Sequence, residues 1–463
     1  MSGDNHHLHV AVHPKYELDF GTIIRIILVT GFFFSVVIGI FMGSSRFKKY
    51  LLLEKLRQQF KSQWNPIIGF FHPQCDGGAG GEKVLYQAIQ AIQIDNKFKN
   101  SQVMIYSGSQ LSPEQILAAV ESRFSIKIKR ENLSFVNLRL SNKLKPDNYP
   151  RFTILFQALA SIQVCFEAMS LAPCDIFIDT MGVGYAYPFV KLFFGPKIIS
   201  YTHYPIVSYD MLNTVGSNTV QYNNSQAIAQ SKIKSSIKKA YYYILIVLYK
   251  VAGYFIDQIA TNSSWTNNHI LHVWNAPKKT QIIYPPIDTR EFSVLDLNKR
   301  RKNIMVSMAQ FRPEKEHDLQ IRIWANALEQ LPQDSKFYMI GTVRDKDDER
   351  IVEQLKDLAQ NLGVQDSVKF EINQPRNTVI SIFENAKVGV HTMKYEHFGI
   401  AVCELMAAGI VTIAHNSAGP KEDIIGANES QVGYLAESED DYVKFVQLGM
   451  NNFEKLGQQF KLY

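Results

Sequence analysis

From Ile67 onward, the chain alternates short apolar runs with longer amphipathic segments, and this pattern restricts the fold more than any other feature. Such alternation is typical of a parallel β-sheet whose strands are joined by helices that cover its faces. The pattern occurs twice, before and after a proline-bearing linker at Pro285–Arg301. The sequence therefore predicts an α/β fold with two Rossmann-like domains, which bind ligands at the carboxyl ends of their strands.

The individual elements follow from the same pattern. Strands are predicted at Ile67–His72, Gln102–Ser107, Asp175–Asp179, Lys197–Tyr201, Asn303–Met308, Lys336–Thr342, Ser367–Ile372 and Lys387–Met393. In the first domain, helices are predicted to begin near Gly81, Ser112, Thr153 and Tyr185. In the second, they are predicted at His317–Leu331, Asp348–Leu362, Ala401–Ala408 and Asp440–Phe460.

A stretch of apolar residues, Ile23–Met42, precedes this pattern and is long enough to cross a bilayer. The acidic residues Glu17 and Asp19 precede it, and no clear cleavage site follows, so it differs from a secretory signal. Basic residues follow it, namely Arg46, Lys48, Lys49, Lys55, Arg57 and Lys61. Because positive charge stays on the cytosolic side, we expect a single-pass anchor with the rest of the chain in the cytosol. A buried core helix is the alternative.

These features divide the chain into five segments. We predict a short lumenal N-terminus (1–22), a transmembrane anchor (23–42), a basic juxtamembrane linker (43–66), an N-terminal acceptor-binding domain (67–290) and a C-terminal donor-binding domain (291–463). A second apolar segment, Tyr241–Ile259, contains Lys250 and Asp257 and follows several lysines. It has three interpretations: a core helix, a helix on the membrane surface, or a second span.

Composition excludes several classes of protein. The 463 residues suffice for two α/β domains, and 46% hydrophobic with 20% charged residues is typical of a globular chain. The net charge of +6 fits an anionic substrate or membrane, but no dense basic and aromatic surface indicates nucleic acid. The four cysteines lack CxxC spacing, which argues against a disulfide framework or a zinc site and fits a reducing compartment.

The stretch Glu396–Glu404 (EHFGIAVCE) joins a predicted strand end, a glycine turn and a helix start. Backbone N–H groups near Gly399 and Ile400 are free at a helix start and can hold a phosphate. A phosphate flanked by two carboxylates that bind hydroxyls is the layout expected for a nucleotide sugar. The alternative is an ordinary solvated loop with two surface glutamates.

Three further segments carry candidate site residues. The loop Pro73–Gly81 contains Gly77, Gly78, Gly80 and Gly81 between a strand and a helix, so its backbone can approach a ligand closely. Arg312 and Lys315 place two cations after the first strand of the second domain, although Glu314 and Glu316 could simply pair with them. His203 follows a strand end, and His72 immediately precedes the glycine loop. For both histidines, a buried structural role is the alternative.

Several segments together resemble the retaining GT-B glycosyltransferases, and most closely the endoplasmic-reticulum mannosyltransferases that extend the dolichol-linked oligosaccharide with α-1,2-mannose from GDP-mannose. The segments are GFFHPQCDGGAGGEKVL (69–85), SYTHYP (200–205), TNSSWT (261–266), YPPID (284–288), QFRPEKEH (310–317), EHFGIAVCELMAAG (396–409) and IAHNSAGPKEDII (413–425). In that architecture a final helix often crosses back to the first domain, and we expect it here to be short or missing.

The resemblance implies roles for these residues. His203 is expected beside the transferred sugar and the attacking hydroxyl, Arg312 and Lys315 on the donor diphosphate, Glu396 on sugar hydroxyls and Glu404 on the ribose. Gly80, Gly81, Phe398, Gly399 and Ile400 are expected to complete the donor site, and His72, Gly77 and Gly78 the acceptor site. The loop Asn416–Pro420 is expected to line the donor pocket.

The resemblance also implies partners and mechanism. The expected partners are GDP-mannose, a dolichol-pyrophosphate oligosaccharide, membrane lipid and other mannosyltransferases of the same pathway, on the cytosolic face of the endoplasmic reticulum. Because the two cations would neutralise the leaving diphosphate, no metal or other cofactor is expected. Two alternatives stay open: another membrane-bound retaining transferase with a different donor or lipid acceptor, and a non-catalytic scaffold that keeps the fold.

Overall fold

The computed structural model describes residues 20–60, 65–207, 232–293, 295, 301–426 and 432–460. Two parallel sheets, one per domain, organise these residues, as the alternating pattern predicts. The two domains pack around separate apolar cores, because each sheet buries side chains beneath its own helices. The predicted two-domain α/β architecture is confirmed.

The first sheet has seven parallel strands in the order β3-β2-β1-β4-β5-β6-β7. They are β1 (Ile67–Phe71), β2 (Gln102–Ser107), β3 (Leu133–Asn137), β4 (Ile176–Asp179), β5 (Lys197–Thr202), β6 (Gln258–Thr261) and β7 (Thr280–Ile282). Every residue of β1 and β2 is buried, as expected of central strands covered on both faces. The strands β3, β6 and β7 were missed because they are short or more polar.

The helices of the first domain are α2 (Gly80–Ile94), α3 (Pro113–Phe124), α4 (Thr153–Leu171), α5 (Tyr187–Phe194), α6 (Lys232–Gly253) and α7 (Ser264–Trp274). The four predicted helix starts agree with α2 to α5 within two residues. Ser112 caps α3, where its hydroxyl accepts a hydrogen bond from the Gln115 N–H. The segment predicted at 241–259 is divided: its first part belongs to α6, and its end begins β6.

The second sheet has six parallel strands in the order β10-β9-β8-β11-β12-β13. They are β8 (Ile304–Met308), β9 (Lys336–Gly341), β10 (Val368–Ile372), β11 (Val388–His391), β12 (Val411–His415) and β13 (Tyr434–Ala436). Its helices are α8 (Arg290–Ser293), α9 (His317–Leu328), α10 (Lys346–Asn361), α11 (Arg376–Asn385), α12 (Ile400–Ala407), α13 (Glu439–Asn451) and α14 (Phe453–Phe460). Phe292 of α8 packs against Phe383, so the predicted linker contributes to the core of the second domain.

The N-terminal apolar segment lies in one long helix, α1 (Phe20–Gln59). The helix continues without a break from the predicted span into the predicted linker and ends at Gln59. From Leu28 it contains a window that is apolar enough to cross a membrane, none of which is buried. Its later part docks on the first domain, where Leu53 is buried and Arg57 pairs with Asp175 at 2.9 Å. α4 is also long and apolar enough to cross a membrane, but it is partly buried and belongs to the core of the first domain.

Candidate active site

A cavity of about 430 Å³ lies between the two domains. The predicted site residues that line it are Gly78, Gly80, Gly81, His203, Lys315, Glu396, Phe398, Gly399, Ile400 and Glu404. They follow β1, β5, β8 and β11, because the carboxyl ends of parallel strands meet at one edge of each sheet. His72, Gly77 and Arg312 are not among the lining residues.

The first turns of α2 and α12 face this cavity from opposite domains. A Cβ atom at Gly80 would lie 3.2 Å from the Ile400 Cδ1 atom, so the absence of a side chain permits their close approach. Gly399 adopts a φ of +113° just before α12, a conformation that side chains disfavour. The first N–H groups of a helix have no partner within it, and they carry partial positive charge. Two such ends at one cavity favour an anionic ligand.

His72 lies buried beneath the glycine loop. Its Nδ1 atom is 2.7 Å from the Thr180 hydroxyl, and its Nε2 atom is 3.4 Å from Glu82 Oε1. Burial by itself raises the pKa of Glu82, but the contacts with His72 and the Ala79 N–H outweigh it, so that this pKa is lowered. These contacts hold the loop in place and agree with a structural role, while a role of His72 in acceptor binding stays a prediction.

His203 reaches the cavity wall after β5. Its Nε2 atom is buried and has no hydrogen-bond partner among the residues that the structure describes. A Cβ atom at Gly81 would lie 3.6 Å from this atom, so the first turn of α2 covers the ring. Burial, aided by His72 and His397, lowers the pKa of His203 to about 4. The imidazole is thus neutral at pH 7, with one nitrogen available to a ligand hydroxyl.

Glu396 forms the centre of a charged cluster in the second domain. Its Oε2 atom accepts a hydrogen bond from Lys315 Nζ at 2.6 Å and lies 3.1 Å from His391 Nε2. Burial alone would raise the pKa of the Glu396 carboxyl, but Lys315 and His391 outweigh it and hold that pKa well below its usual range. The Glu396 carboxylate is therefore ionised and can accept hydrogen bonds from hydroxyl groups, and Lys315 fixes its position.

Arg312 has a different environment from Lys315. It lies just before the 3₁₀ turn Pro313–Lys315, and its charge acts on Asp348 at the start of α10. Of the two cations predicted to act together, Lys315 lines the cavity and Arg312 is not among the lining residues, so their joint role on the diphosphate stays a prediction.

Glu404 is only 4% exposed and accepts hydrogen bonds from two cations. Lys83 Nζ of the first domain donates to Oε1 at 3.0 Å, and Arg376 donates to Oε2 at 3.0 Å. Arg376 also donates to Glu291 at 2.9 Å. Sequence reasoning missed both cations, although Lys83 follows the glycine loop directly and Arg376 follows β10.

The loop Asn416–Pro420 supports the site from behind and does not line the cavity. The Gly419 N–H donates to the Glu396 carbonyl at 3.0 Å. A Cβ atom at Gly419 would lie 2.4 Å from the Phe398 carbonyl oxygen, which no side chain could accommodate. The loop therefore fixes the backbone that carries Glu396 and Phe398.

The arrangement can bind an anion beside hydroxyl-bearing groups. Two helix starts and Lys315 supply positive charge, while Glu396, Glu404 and neutral His203 supply hydroxyl partners. Within the described ranges, no group of three or more His, Cys, Asp or Glu side chains is placed to hold a metal ion. These features together fit a nucleotide sugar and an incoming hydroxyl.

Comparison with known proteins gives two matching families. Residues 65–274 match the family described as ALG11 mannosyltransferase N-terminus, and residues 289–456 match glycosyl transferases group 1. The chain is 39% identical to the human GDP-Man:Man(3)GlcNAc(2)-PP-Dol alpha-1,2-mannosyltransferase, over 86% of this chain and 82% of that protein. The mouse protein of the same name is 41% identical over 81% of this chain and 78% of its own length.

Solved structures share the fold at much lower identity. A glycosyltransferase from Rickettsia africae aligns with a TM-score of 0.57 and 14% identity, over 86% of this chain and 92% of that one. The sucrose-phosphate synthase from Thermosynechococcus elongatus gives a TM-score of 0.59 and 14% identity, over 85% and 93%. At this identity the likeness concerns the two-domain architecture alone.

Proposed function

We propose that this chain, which belongs to the GDP-Man:Man(3)GlcNAc(2)-PP-Dol alpha-1,2-mannosyltransferases, transfers mannose from GDP-mannose to the dolichol-linked Man(3)GlcNAc(2) oligosaccharide in an α-1,2 linkage. The observation that carries the proposal is the interdomain cavity, which combines two helix starts, Lys315 and the carboxyl groups of Glu396 and Glu404. A nucleoside diphosphate sugar presents the complementary groups, namely a diphosphate between a ribose and a hexose.

In the proposed donor complex, the diphosphate lies at the start of α12 and contacts Lys315. Glu404 then faces the ribose, and Glu396 faces the hydroxyls of mannose. The pairing of Lys315 with Glu396 supports this placement, because one cation can then contact the phosphate and fix the sugar-binding carboxylate. Gly80 and Gly81 close the site from the first domain.

We infer a transfer that retains the anomeric configuration. The bond between mannose C1 and the diphosphate oxygen breaks, and the acceptor hydroxyl attacks C1 from the same face. The hydroxyl proton passes to the departing diphosphate oxygen. Lys315 and the helix starts stabilise the charge that develops on the phosphate, which is the role of preorganised donors in a transition state. On this account the reaction needs no metal.

The acceptor approaches from the first domain. The unpartnered Nε2 atom of His203 supports a role in orienting the attacking hydroxyl, because a buried nitrogen without a partner favours such a ligand. His72 and Gly77 would act indirectly, by holding the loop that begins α2. Gly78, on the cavity wall, would contact the acceptor.

We also propose that α1 anchors the protein in the endoplasmic-reticulum membrane with both domains in the cytosol. The support is its apolar window, the basic residues that follow it, and the relatives' lipid-linked acceptor. A membrane-bound acceptor would then meet a membrane-bound enzyme.

The test is a transfer assay with the purified full chain in detergent. Radiolabelled GDP-mannose and UDP-glucose are each offered with a lipid-pyrophosphate Man(3)GlcNAc(2) acceptor, and the product is analysed for an α-1,2 linkage. We expect transfer from GDP-mannose only. Transfer from UDP-glucose instead would contradict the assigned donor, and absence of transfer from both would favour a scaffold.

A matched pair of variants links the activity to this cavity. Glu396→Gln should lower transfer by at least about 30-fold, because it removes a charged partner of the sugar hydroxyls. Glu353→Gln, on the outer surface of α10 with a side chain that is 69% exposed, should leave it unchanged. Equal activity of the two variants would place the reaction elsewhere.

A further inference from the structure

A stack of aromatic rings joins the two domains beside the cavity. Tyr204 follows β5 and Trp265 lies in the first turn of α7, whereas His397 follows β11 in the second domain. The ring centroids of Tyr204 and His397 are 4.7 Å apart with planes 9° from parallel, and those of Tyr204 and Trp265 are 5.1 Å apart at 12°. We call these three rings the interdomain stack. Since rings stack over only a few ångströms, this contact depends on how closely the two domains approach each other.

The interdomain stack is linked to the candidate site through the chain itself. Tyr204 is the residue after His203, and His397 is the residue after Glu396. His203, Glu396 and His397 all line the cavity. The contact between the Tyr204 and His397 rings therefore connects the two backbone segments that carry the proposed acceptor-orienting histidine and the proposed sugar-binding carboxylate.

The first turn of α7 holds this arrangement against the second domain. The Asp423 carboxylate of the second domain accepts a hydrogen bond from the Ser264 N–H at 3.0 Å. A carboxylate is favoured at this place, because the N-terminus of a helix carries partial positive charge. In the same turn, the Thr266 hydroxyl donates to the His203 carbonyl at 3.1 Å. One helix turn thus contacts both the second domain and the backbone of His203.

The surroundings of the interdomain stack favour a fixed geometry. His269 of α7 packs against it, with its ring centroid 4.4 Å from that of Trp265 and 5.6 Å from that of Tyr204. Burial lowers the pKa of His397, so its imidazole is neutral at pH 7 and can stack without a charge to solvate. Tyr204 is thus in contact with three other rings, and a side chain enclosed in this way has few rotamers available.

From these contacts we propose that the interdomain stack of Tyr204, Trp265 and His397 positions the site, by setting the separation between His203 and Glu396 at which transfer occurs. The inference rests on the proposed function, because it assigns the stack to the same reaction. The acceptor hydroxyl and mannose C1 must approach to about 3–3.5 Å, and a displacement of about 1 Å can lower the rate by about 100-fold. A contact between the chain neighbours of His203 and Glu396 controls this approach directly.

The kinetic test uses the purified full chain in detergent, with GDP-mannose and the lipid-pyrophosphate Man(3)GlcNAc(2) acceptor. Tyr204→Ala removes one ring of the interdomain stack, whereas Tyr204→Phe keeps it. Phe445→Ala is the matched control, because Phe445 stacks on Tyr434 at 4.6 Å and 14° within the second domain. We expect kcat to fall by about 10- to 100-fold in Tyr204→Ala. It should stay near the wild-type value in Tyr204→Phe and in Phe445→Ala.

Two readouts separate positioning from a general loss of structure. Binding of GDP, measured by calorimetry, should be the same in Tyr204→Ala and the wild type, because Tyr204 is not among the residues that line the cavity. The ratio of free to transferred mannose should rise in Tyr204→Ala, since water can attack C1 where the acceptor hydroxyl is misaligned.

A second pair of variants tests the stack from the other domain. His397→Ala should reproduce the fall in kcat, whereas His397→Phe, which keeps a ring, should not. The double variant Tyr204→Ala with His397→Ala should be little slower than either single variant, because the effects of residues in contact are not additive. The His397 pair also gives the comparison if Tyr204→Ala does not fold.

Several outcomes would overturn the proposal. They are a wild-type kcat in Tyr204→Ala, a loss of activity that Tyr204→Phe does not restore, and additive effects of Tyr204→Ala and His397→Ala. A parallel loss of GDP binding would indicate a structural role instead. Absence of transfer in the unsubstituted chain would contradict the proposed function, so that failure is distinguishable from a failure of the stack to position the site.

Discussion

Lys315→Ala is the most informative single change in the second domain. In the wild type, the Lys315 ammonium lies 2.6 Å from Glu396 Oε2 and lines the proposed diphosphate site. The substitution removes a positive charge from the leaving group and leaves Glu396 with His391 as its described side-chain partner. We therefore expect effects on both catalysis and stability, and these can be measured separately.

The structure sets the size of each effect. Loss of one charge-assisted contact in the transition state costs about 2–4 kcal/mol, or about 30- to 900-fold in kcat/KM. The side chains of Lys315 and Glu396 are 18% and 16% exposed, so the pair is mostly shielded from water. Breaking such a pair should lower the free energy of unfolding by about 2–3 kcal/mol, below the value for a fully buried pair.

The stability effect has a defined pH dependence. The folded-state pKa of Glu396 lies below its ordinary value of 4.5, so the pair stabilises the protein fully above that pH. The stabilisation is lost only as the pH falls toward the folded-state pKa. At pH 7, therefore, the difference between wild type and Lys315→Ala should be at its maximum, and it should shrink on acidification.

The assay combines single-turnover mannose transfer with denaturant unfolding at pH 7. Lys394→Ala serves as the control, because Lys394 lies on the loop that carries Glu396, has a side chain that is 52% exposed and pairs with Glu316. Arg312→Ala should lose less activity than Lys315→Ala, because Arg312 is not among the residues that line the cavity. The double variant Lys315→Ala with Glu396→Gln should recover stability but not transfer. Near-normal kcat/KM in Lys315→Ala, or an equal loss in Lys394→Ala, would refute the diphosphate role.

Four further predictions test other parts of the molecule. Lys83→Met and Glu404→Gln should be coupled by about 1–3 kcal/mol in GDP binding by calorimetry, since the pair joins the two domains; additive effects would separate it from the site. Because the folded-state pKa of His203 is about 4, the unfolded chain binds more protons than the folded chain between pH 4 and 6.5. The free energy of unfolding should therefore decrease as the pH is lowered from 6.5 to 4, and it should decrease less in His203→Gln. If both domains lie in the cytosol, endoglycosidase treatment should cause no mass shift at any Asn-x-Ser/Thr site, whereas a shift would reverse the orientation. The sites are Asn132 and Asn262 and, outside the described residues, Asn223 and Asn428. Transfer should persist in excess EDTA, and its abolition with rescue by magnesium would mean that Lys315 and the helix starts do not suffice for the leaving group.

The local sequence determined most of the secondary structure and the position of the main motif. β1 reads Ile-Ile-Gly-Phe-Phe and is buried throughout, and the apolar run before Glu396 forms β11. The helices after the glycine loop and after Gly399 begin where the residue pattern places them, because glycine turns and helix formers act over a few neighbouring residues. The same reasoning failed for β3, β6, β7 and β13, whose short sequences carry little pattern of their own.

Only the tertiary structure decided which charges meet. Lys83 and Glu404 are 321 residues apart, and Lys315 and Glu396 are 81 apart, so no local pattern encodes either pair. The same holds for His203, whose buried nitrogen has no partner among the described residues, since burial depends on what the rest of the chain places around a side chain. For α6, sequence alone could not choose between core helix and membrane-surface helix. The fold buries one apolar side and exposes the other, because a helix on the outside of a sheet has one side against the core and one side away from it.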